Sequence, residues 1–566
     1  MQGGFKTKTG CLKAAAAALL CCAAASFLPA PALAQTANPA PGTSGVNPAS
    51  RDLQQMREGI ERWQQQREVE RMQQMRRQQK EHPKEEPEPE RAPAFHFTLT
   101  AIEHNDSAIL TDEEIARAVA PWIGTDVSMA QIEELLNAVN TLYRERGYVV
   151  CEARLRPQRI KGGRLFVTLV EGKTADVEVS GNTHTREGYI LSAFDLKPGE
   201  VANFRDMQQD LLEFNMTNDV ALRIDIRAGD KPETTDYAIE AAEPSNWTAT
   251  VFADTTGTRT TGRPRAGASL TNRSLFGIRD SATLFGLASE GSKSVMASYS
   301  VPLTAKGTRL TASASWGDVE VVQGPSADAD VEGSSEYYSL RLVHPFYVAS
   351  DAKWSVFGEW SRQKSETEFW SITINDTEID AYSAGLEAIL LTDRSVFFAT
   401  AMISSEHAEE KTFDQSYSQT LFKGNAFWRY RLLDELTVSL SGAWQFVAGG
   451  DELTSTQYFY LGHTSGVRGY DNDVLSAEEG AYINAQADWA FAGEKTSLFV
   501  FADAGRLTGT SSYTRRTLAS VGAGVTLPLW KDASITASAG VPLVRDIGEG
   551  QHVNKARFDL AVVATW

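Results

Sequence analysis

Two short motifs in the C-terminal half of the chain place opposite charges where an ion pair could form. The first motif is Val467-Arg468-Gly469-Tyr470. The second motif consists of Phe501, Asp503 and Gly505, at alternate positions of an apolar segment. Arginine binds a carboxylate through two parallel hydrogen bonds, which lysine cannot do. We therefore predict that Arg468 and Asp503 meet and fix the segment around Arg468; an ordinary structural ion pair is the alternative, and Tyr470 could equally be a packing residue.

The other reactive residues show no pattern typical of catalysis or of metal binding. The eight His are scattered, and neither a Ser/His/Asp set nor a glycine-rich phosphate loop occurs. Three of the four Cys lie within the first 22 residues, so a processed chain would retain only Cys151. We predict no enzyme, no metal and no cofactor, with an enzyme inside a barrel as the alternative. The net charge of −19 argues against a nucleic-acid partner.

The N-terminus has the three parts of a secretory signal peptide. Basic residues precede an apolar run at 14–28, and small residues follow at positions 32 and 34. We predict a signal peptide at 1–34, cleaved between Ala34 and Gln35. A membrane anchor is the alternative, although the apolar run is short for one. A lipoprotein is disfavoured because Cys21 follows Leu20 rather than a small residue.

Three segments of distinct composition follow. An uncharged stretch at 35–50 predicts a flexible linker, and Pro and Glu at 82–94 predict an extended one. Residues 51–81 are free of proline and rich in Gln, Arg and Glu, which predicts a polar helix about 45 Å long. One stripe of this helix would carry Leu53, Met56, Ile60 and Trp63. It is either a solvated or coiled-coil helix, or a plug inside a water-filled pore.

Residues 95–243 contain a tandem repeat. The segment 95–172 has the order β-α-α-β-β, with capping boxes beginning at Thr111 and Ser128, and 173–243 has the same order. We predict two small α+β domains, the first repeat (95–172) and the second repeat (173–243). Cys151 falls on a strand packed against a helix and is predicted to be buried; the alternative is an exposed thiol that dimerises the protein.

Residues 246–566 alternate apolar and polar side chains in segments of about ten residues. Sixteen such segments can be placed, and the last ends on Trp566. An even number of strands with a polar face predicts a closed antiparallel barrel in an outer membrane. Asp503 should face its interior, because a carboxylate facing lipid costs several kcal/mol. A soluble β-sandwich or propeller is the alternative.

With this order of elements, the chain resembles the TpsB transporters of two-partner secretion. This is the ShlB/FhaC/HecB family within the wider superfamily of POTRA-bearing outer-membrane barrels. The motif 467–470 matches the family's VRGY/F motif on a loop that folds into the pore, and 501–505 matches its F-x-D-x-G motif on a barrel strand. The N-terminal helix is longer and richer in charge than the family pattern implies.

The resemblance implies a transporter that recognises an unfolded secreted partner in the periplasm and moves it across the outer membrane. The partner would be of adhesin or cytolysin type, and outer-membrane lipid and the barrel assembly machinery would be further contacts. A factor that inserts other barrels and a passive porin are the alternatives. The POTRA domains would face the periplasm and bind the partner by strand addition. Possible docking residues are Arg154, Arg156 and Arg159; the alternative is a solvated hairpin near lipid headgroups.

Overall fold

A computed structural model describes residues 48–79, 96–324, 327–464, 466–472, 474–491, 496–509, 516–547 and 553–566. The predicted signal peptide with its cleavage site at Ala34 and Gln35, most of the linker at 35–50, and the linker at 82–94 lie outside the described residues. The chain divides into two compact units. One contains the N-terminal helix as far as Gln74 and the segment from Ser245 onward except Thr304–Gly307; the other contains the two repeats.

Helix α1 spans Pro48–Gln79 and begins three residues before the predicted start. Proline is tolerated in the first turn, where its missing N–H would have no helical partner. Leu53, Met56 and Ile60 are buried in one apolar cluster, as their spacing predicts. Trp63 is 38% exposed and lies outside that cluster, so the predicted stripe is one turn too long. Within the described residues, no helix is long and apolar enough to span a membrane.

The first repeat is a small α+β fold. Its elements are β1 (His96–Thr98), β2 (Ala101–His104), α2 (Asp112–Val119), β3 (Asp126–Ser128), α3 (Met129–Glu145), β4 (Glu152–Leu155) and β5 (Arg164–Val170). Its three-stranded sheet has the order β2-β5-β4. The capping boxes at Thr111 and Ser128 are confirmed. The single predicted first strand is split, because Leu99 bonds to the backbone of Thr125 and Thr100 to that of Gly163. The chain therefore changes partner strand between β1 and β2.

The second repeat has an equivalent fold. Its elements are β6 (Lys173–Ser180), α4 (Glu187–Leu191), α5 (Phe204–Thr217), β7 (Ala221–Ala228) and β8 (Thr234–Ala242). Its sheet has the order β6-β8-β7. In both repeats the first long strand pairs in parallel with the last one, which occupies the centre of the sheet. The predicted α+β order is confirmed, although α4 is only five residues long.

The two repeats share a joint between helix ends. The last carbonyls of α3 have no helical partner, and the start of α5 supplies donors. The Asn203 amide donates to Arg146 O and the Phe204 N–H to Gly147 O, both at 2.9 Å. Gly147 has φ +92°, and a Cβ there would lie 2.3 Å from Asn203 Oδ1. Glycine is therefore required where the two repeats touch.

The barrel is closed, antiparallel and sixteen-stranded, which confirms the prediction. Its first eight strands are β9 (Trp247–Asp254), β10 (Arg265–Asn272), β11 (Ser281–Ala288), β12 (Ser292–Pro302), β13 (Arg309–Glu320), β14 (Val331–Ala349), β15 (Ala352–Phe369) and β16 (Ile372–Leu391). The others are β17 (Ser395–Glu410), β18 (Gln415–Arg431), β19 (Leu436–Gly450), β22 (Glu479–Phe491), β23 (Thr496–Thr508), β24 (Thr517–Trp530), β25 (Ala533–Pro542) and β26 (Arg557–Thr565). Pairing of β26 with β9, from Ala561–Asp254 to Thr565–Thr250, closes the ring.

Residues 451–478, which we call the long loop, connect β19 to β22. Within it, β20 (Phe459–Leu461) and β21 (Leu475–Ala477) form a two-stranded ladder. Val467 and Tyr470 are buried in an apolar cluster with Leu461, Leu475 and residues of the barrel wall. The wall contributes Tyr482, Leu507 and Leu518 to this cluster, which lie on the inward faces of β22, β23 and β24.

Candidate functional site: the long loop and its anchor on the barrel wall

Arg468 and Asp503 form a bidentate ion pair. Arg468 Nε lies 2.8 Å from Asp503 Oδ2, and Nη2 lies 2.9 Å from Oδ1. The Arg468 backbone N–H also donates to Oδ2 at 3.0 Å, and Nη1 donates to Gln486 Oε1 at 2.5 Å. The Asp503 side chain is fully buried. A buried carboxylate is stable only when it is paired and hydrogen-bonded, and here both oxygens accept bonds from one residue of the loop.

The other two residues of the strand motif shape the surface that receives Arg468. The Arg468 guanidinium lies 3.8 Å from the centre of the Phe501 ring, a cation–π contact. At Gly505, an added Cβ would lie 2.7 Å from Leu461 and 3.0 Å from Val467. One inward face of β23 thus presents a ring, a carboxylate and a gap. The first two hold the arginine, and the gap admits the apolar part of the loop.

Gly469 and Tyr470 attach the same turn to the next strands. Gly469 has φ +91°, and its backbone approaches Gly540 so closely that a Cβ would lie 3.0 Å from the Gly540 carbonyl carbon. The Tyr470 hydroxyl lies 2.8 Å from the Ala519 carbonyl oxygen and accepts a hydrogen bond from the Val544 N–H at 3.1 Å. Tyr470 is 1% exposed. Its role is therefore polar as well as packing.

The structure also brings in residues that the sequence analysis did not single out. Arg557, on the last strand, lies 3.0 Å from Asp471 and 2.9 Å from Asp559. The Asn472 amide donates to the Thr256 carbonyl at 2.6 Å. The sequence did contain a pattern that indicates an inward-facing Arg557: the lipid-facing residues of β26 alternate with the charged residues Arg557 and Asp559. The prediction used only the outward-facing residues of β26 and did not consider its inward-facing ones.

Inward-facing side chains of several barrel strands contact helix α1. The Lys353 ammonium lies 2.5 Å from Glu68, and Arg429 lies 3.2 Å from Glu70. The Arg62 guanidinium donates to the Tyr482 hydroxyl at 3.0 Å. The helix also meets the long loop, where the Thr464 hydroxyl donates to Gln55 at 3.1 Å. These contacts are polar, whereas nearer the start of the helix Leu53, Met56 and Ile60 pack with Met296 of the barrel wall.

A cavity of ≈ 600 Å³ remains between α1 and the wall. Its lining includes Arg62, Arg429, Arg468 and Asp488, with Ser and Thr side chains between them. A polar cavity of this size can hold many water molecules. The helix therefore does not fill the barrel completely.

The three predicted docking arginines belong to the first repeat and are separate from the loop. Arg154 forms an ion pair with Glu152, and Arg156 lies 3.0 Å from Glu233. Both arginine side chains are 64% exposed. Arg159 is also exposed, and within the described part of the chain it has no ion-pair partner. Arg154 lies on β4, an edge strand of the sheet, and Arg156 and Arg159 follow that strand.

Cys151 is buried, which confirms the predicted burial, but it directly precedes β4 and does not itself lie on a strand. It is 3% exposed and packs in the core of the first repeat, beside Tyr143 and Leu169. Burial, together with the nearby Glu171 carboxylate, raises the pKa of the Cys151 thiol to about 12. The thiol therefore stays protonated and has no metal or redox partner in the described residues.

A closed sixteen-stranded barrel, two preceding α+β repeats and an infolded loop define an outer-membrane transporter with periplasmic POTRA domains. The family model for haemolysin secretion/activation protein ShlB/FhaC/HecB matches residues 233–527, and the ShlB-type POTRA domain matches 97–172. The chain belongs to this family. It is a transporter of two-partner secretion, which moves a partner exoprotein across the outer membrane.

Curated relatives are similar to this chain in sequence, and a solved structure is similar to it in fold. The heme/hemopexin transporter protein HuxB of Haemophilus influenzae is 22% identical over 490 residues, covering 82% of this chain and 86% of that protein. The outer membrane transporter CdiB of Dickeya dadantii is 23% identical and covers 69% of this chain and 72% of that protein. The structure of CdiB from Escherichia coli superposes with a TM-score of 0.65 at 20% identity, over 91% of this chain and 98% of that chain.

Proposed function

We propose that helix α1 closes the pore at rest and that the exoprotein passes, unfolded, after the helix has left. The observation that carries the proposal is the pairing of helix carboxylates with cations of the wall, Glu68 with Lys353 and Glu70 with Arg429. Glu68 and Glu70 are 40% and 51% exposed, and ion pairs that are open to solvent contribute only about 0–1 kcal/mol each. These polar contacts resist removal of the helix only weakly, so the main cost lies at Leu53, Met56 and Ile60, which pack with Met296 of the barrel wall.

Deletion of 51–81 tests the plug, because the emptied barrel should conduct more ions in a planar bilayer. A gentler variant, Glu68→Lys with Glu70→Lys, places like charges opposite Lys353 and Arg429 and should shift the channel toward the high-conductance level. Glu178→Lys with Glu187→Lys, which changes two exposed carboxylates in the second repeat, is the charge-matched control. Unchanged conductance in both helix variants would mean that the helix serves as a periplasmic spacer.

The size of the vacated space supports an unfolded partner. An α-helix with its side chains is about 10–12 Å wide, so its departure opens a passage for an extended chain and not for a folded domain. The periplasm supplies no ATP, and folding of the exoprotein outside would bias the movement. A disulfide-closed domain fused to the exoprotein should stall in the barrel, and reduction should release it. Export of the folded fusion would contradict the proposal.

The exposed hairpin after β4 supports docking of the partner in the periplasm. An extended segment can add to the free edge of β4, while Arg154, Arg156 and Arg159 attract its acidic side chains. The ion pairs of Arg154 and Arg156 are exposed and therefore easily exchanged. An adhesin or cytolysin is the proposed partner class, with outer-membrane lipid and the barrel assembly machinery as further contacts. A large repetitive exoprotein encoded beside this gene would support that class.

A further inference from the structure

A second buried charge cluster lies under the long loop, away from Arg468. Glu406 on β17 accepts hydrogen bonds from the Lys423 ammonium at 2.6 Å and from the Ser404 hydroxyl at 2.9 Å. Its other carboxylate oxygen accepts a bond from the side-chain amide of Gln457 at 2.8 Å. Glu406 is 5% exposed and Gln457 6%. A barrel-wall carboxylate is thus shared between a barrel cation and the loop.

Gln457 is placed to transmit this contact to the rest of the loop. Its side-chain oxygen accepts bonds from the Thr454 N–H and hydroxyl, both at 3.1 Å, which closes a capping box around 455–457. Its backbone oxygen accepts a bond from Gln445 Nε2 at 2.8 Å. The same Gln445 amide also donates to Glu478 O, at 2.9 Å. The beginning and the end of the loop are therefore tied together at one point.

We propose that Glu406 and Gln457 are positioning residues that form a second anchor of the long loop. The first anchor holds the loop tip on β22–β25 through Arg468, Gly469 and Tyr470. The second holds the first part of the loop, residues 454–457, on β17–β19. A loop held at one point can pivot, whereas two anchors on different strands fix its direction. Because the segment 454–457 is fixed on β17–β19, the loop tip is held where Arg468 can pair with Asp503.

The chemistry of the pair permits an exchange experiment. In Glu406→Gln, an amide NH₂ faces the NH₂ of Gln457, and in Gln457→Glu two carboxylates face each other. Each single variant should lower secretion per inserted transporter by roughly fivefold or more, because a buried polar group loses its partner. In the double variant Glu406→Gln with Gln457→Glu, a donor again faces an acceptor. Thr454 can still donate to residue 457, and Lys423 can still donate to residue 406.

The double variant should therefore recover most of the secretion that either single variant loses. Rescue by a loop residue is not expected if Glu406 merely stabilises the barrel wall with Lys423. Glu409→Gln, on the outward face of the same strand, is the control and should secrete normally. Barrel insertion is measured for every variant by heat-modifiable mobility in gels, and secretion is divided by it. Normal secretion from both single variants, or a double variant no better than the worse single one, would overturn the proposal.

This test is independent of the helix. If the helix does not close the pore, the conductance differs from expectation in the parent and in the variants alike. Loss of the second anchor instead lowers secretion in each single variant, and the double variant recovers it. Failure of the exchange would leave the transporter assignment and the proposed plug untouched.

Discussion

The long loop and the basic hairpin of the first repeat both use arginine, but in opposite surroundings. Arg468 pairs with a carboxylate that is fully buried and accepts three bonds from the arginine. Arg154 and Arg156 pair with carboxylates at the surface. Breaking a buried pair costs about 3–5 kcal/mol, whereas an exposed pair contributes about 0–1 kcal/mol. Burial, more than the type of residue, separates a permanent anchor from a contact that a partner can replace.

The largest effect is expected where the buried pair is broken. Arg468→Ala and Asp503→Ala should each lower secretion strongly while the barrel still inserts, because the first leaves the buried Asp503 carboxylate unpaired and the second leaves Arg468 without its partner on the wall. Arg468→Lys keeps the charge and loses the two-pronged geometry, so it should also be impaired. Secretion is measured against folded barrel on gels. The comparison fails if both alanine variants secrete normally.

A smaller effect is expected from filling the gap on β23. Gly505→Ala should displace Leu461 and Val467, at a cost of about 1–3 kcal/mol, and reduce secretion severalfold. Gly358→Ala on β15 is the matched control, since a Cβ there meets nothing within 4 Å. The measurement is secretion together with the proteolytic sensitivity of the long loop. Equal behaviour of the two variants would show that loop packing at Gly505 is unimportant.

At the exposed site, the expected change is modest. Replacing Arg154, Arg156 and Arg159 by Gln should weaken binding of the unfolded N-terminal segment of the exoprotein to the transporter, and reduce the salt dependence of that binding. Calorimetry at two salt concentrations measures both quantities. Arg223→Gln with Arg227→Gln, also exposed and in the second repeat, is the control. Salt-independent affinity, or no effect of the triple variant, would exclude this hairpin as the docking site.

The smallest effect concerns Cys151. Only the thiolate reacts with maleimide, and the raised pKa, about 12, leaves the thiol protonated throughout the range from pH 6 to 9. Labelling by a bulky maleimide should therefore be negligible at any of these pH values until the protein is denatured. Ser192→Cys in a Cys151→Ser background places a thiol at an exposed position and should label quickly. Rapid labelling of native Cys151 would contradict its burial.

Several features were predictable because they depend on local periodicity. Alternation with a period of two identified sixteen strands and turned Asp503 inward, since successive side chains of a strand face opposite sides. The capping boxes at Thr111 and Ser128 were readable because they involve residues three positions apart. The split of the first strand was not, because Leu99 and Thr100 bond to chain more than twenty residues away. Trp63 likewise lies on the same helical stripe as Leu53, Met56 and Ile60, but unlike them it is exposed.

The sequence by itself determined the strand number, the inward face of each strand and the two motifs, because each is encoded within a few consecutive residues. Only the tertiary structure decided which inward side chains meet. Glu406 and Gln457 are 51 positions apart, and Arg557 and Asp471 are 86 apart. Barrel closure and the path of the long loop bring these pairs together, and neither is expressed in local periodicity. A buried charge is stable only beside a group that pairs with it, and the packing of the surrounding strands decides which group that is.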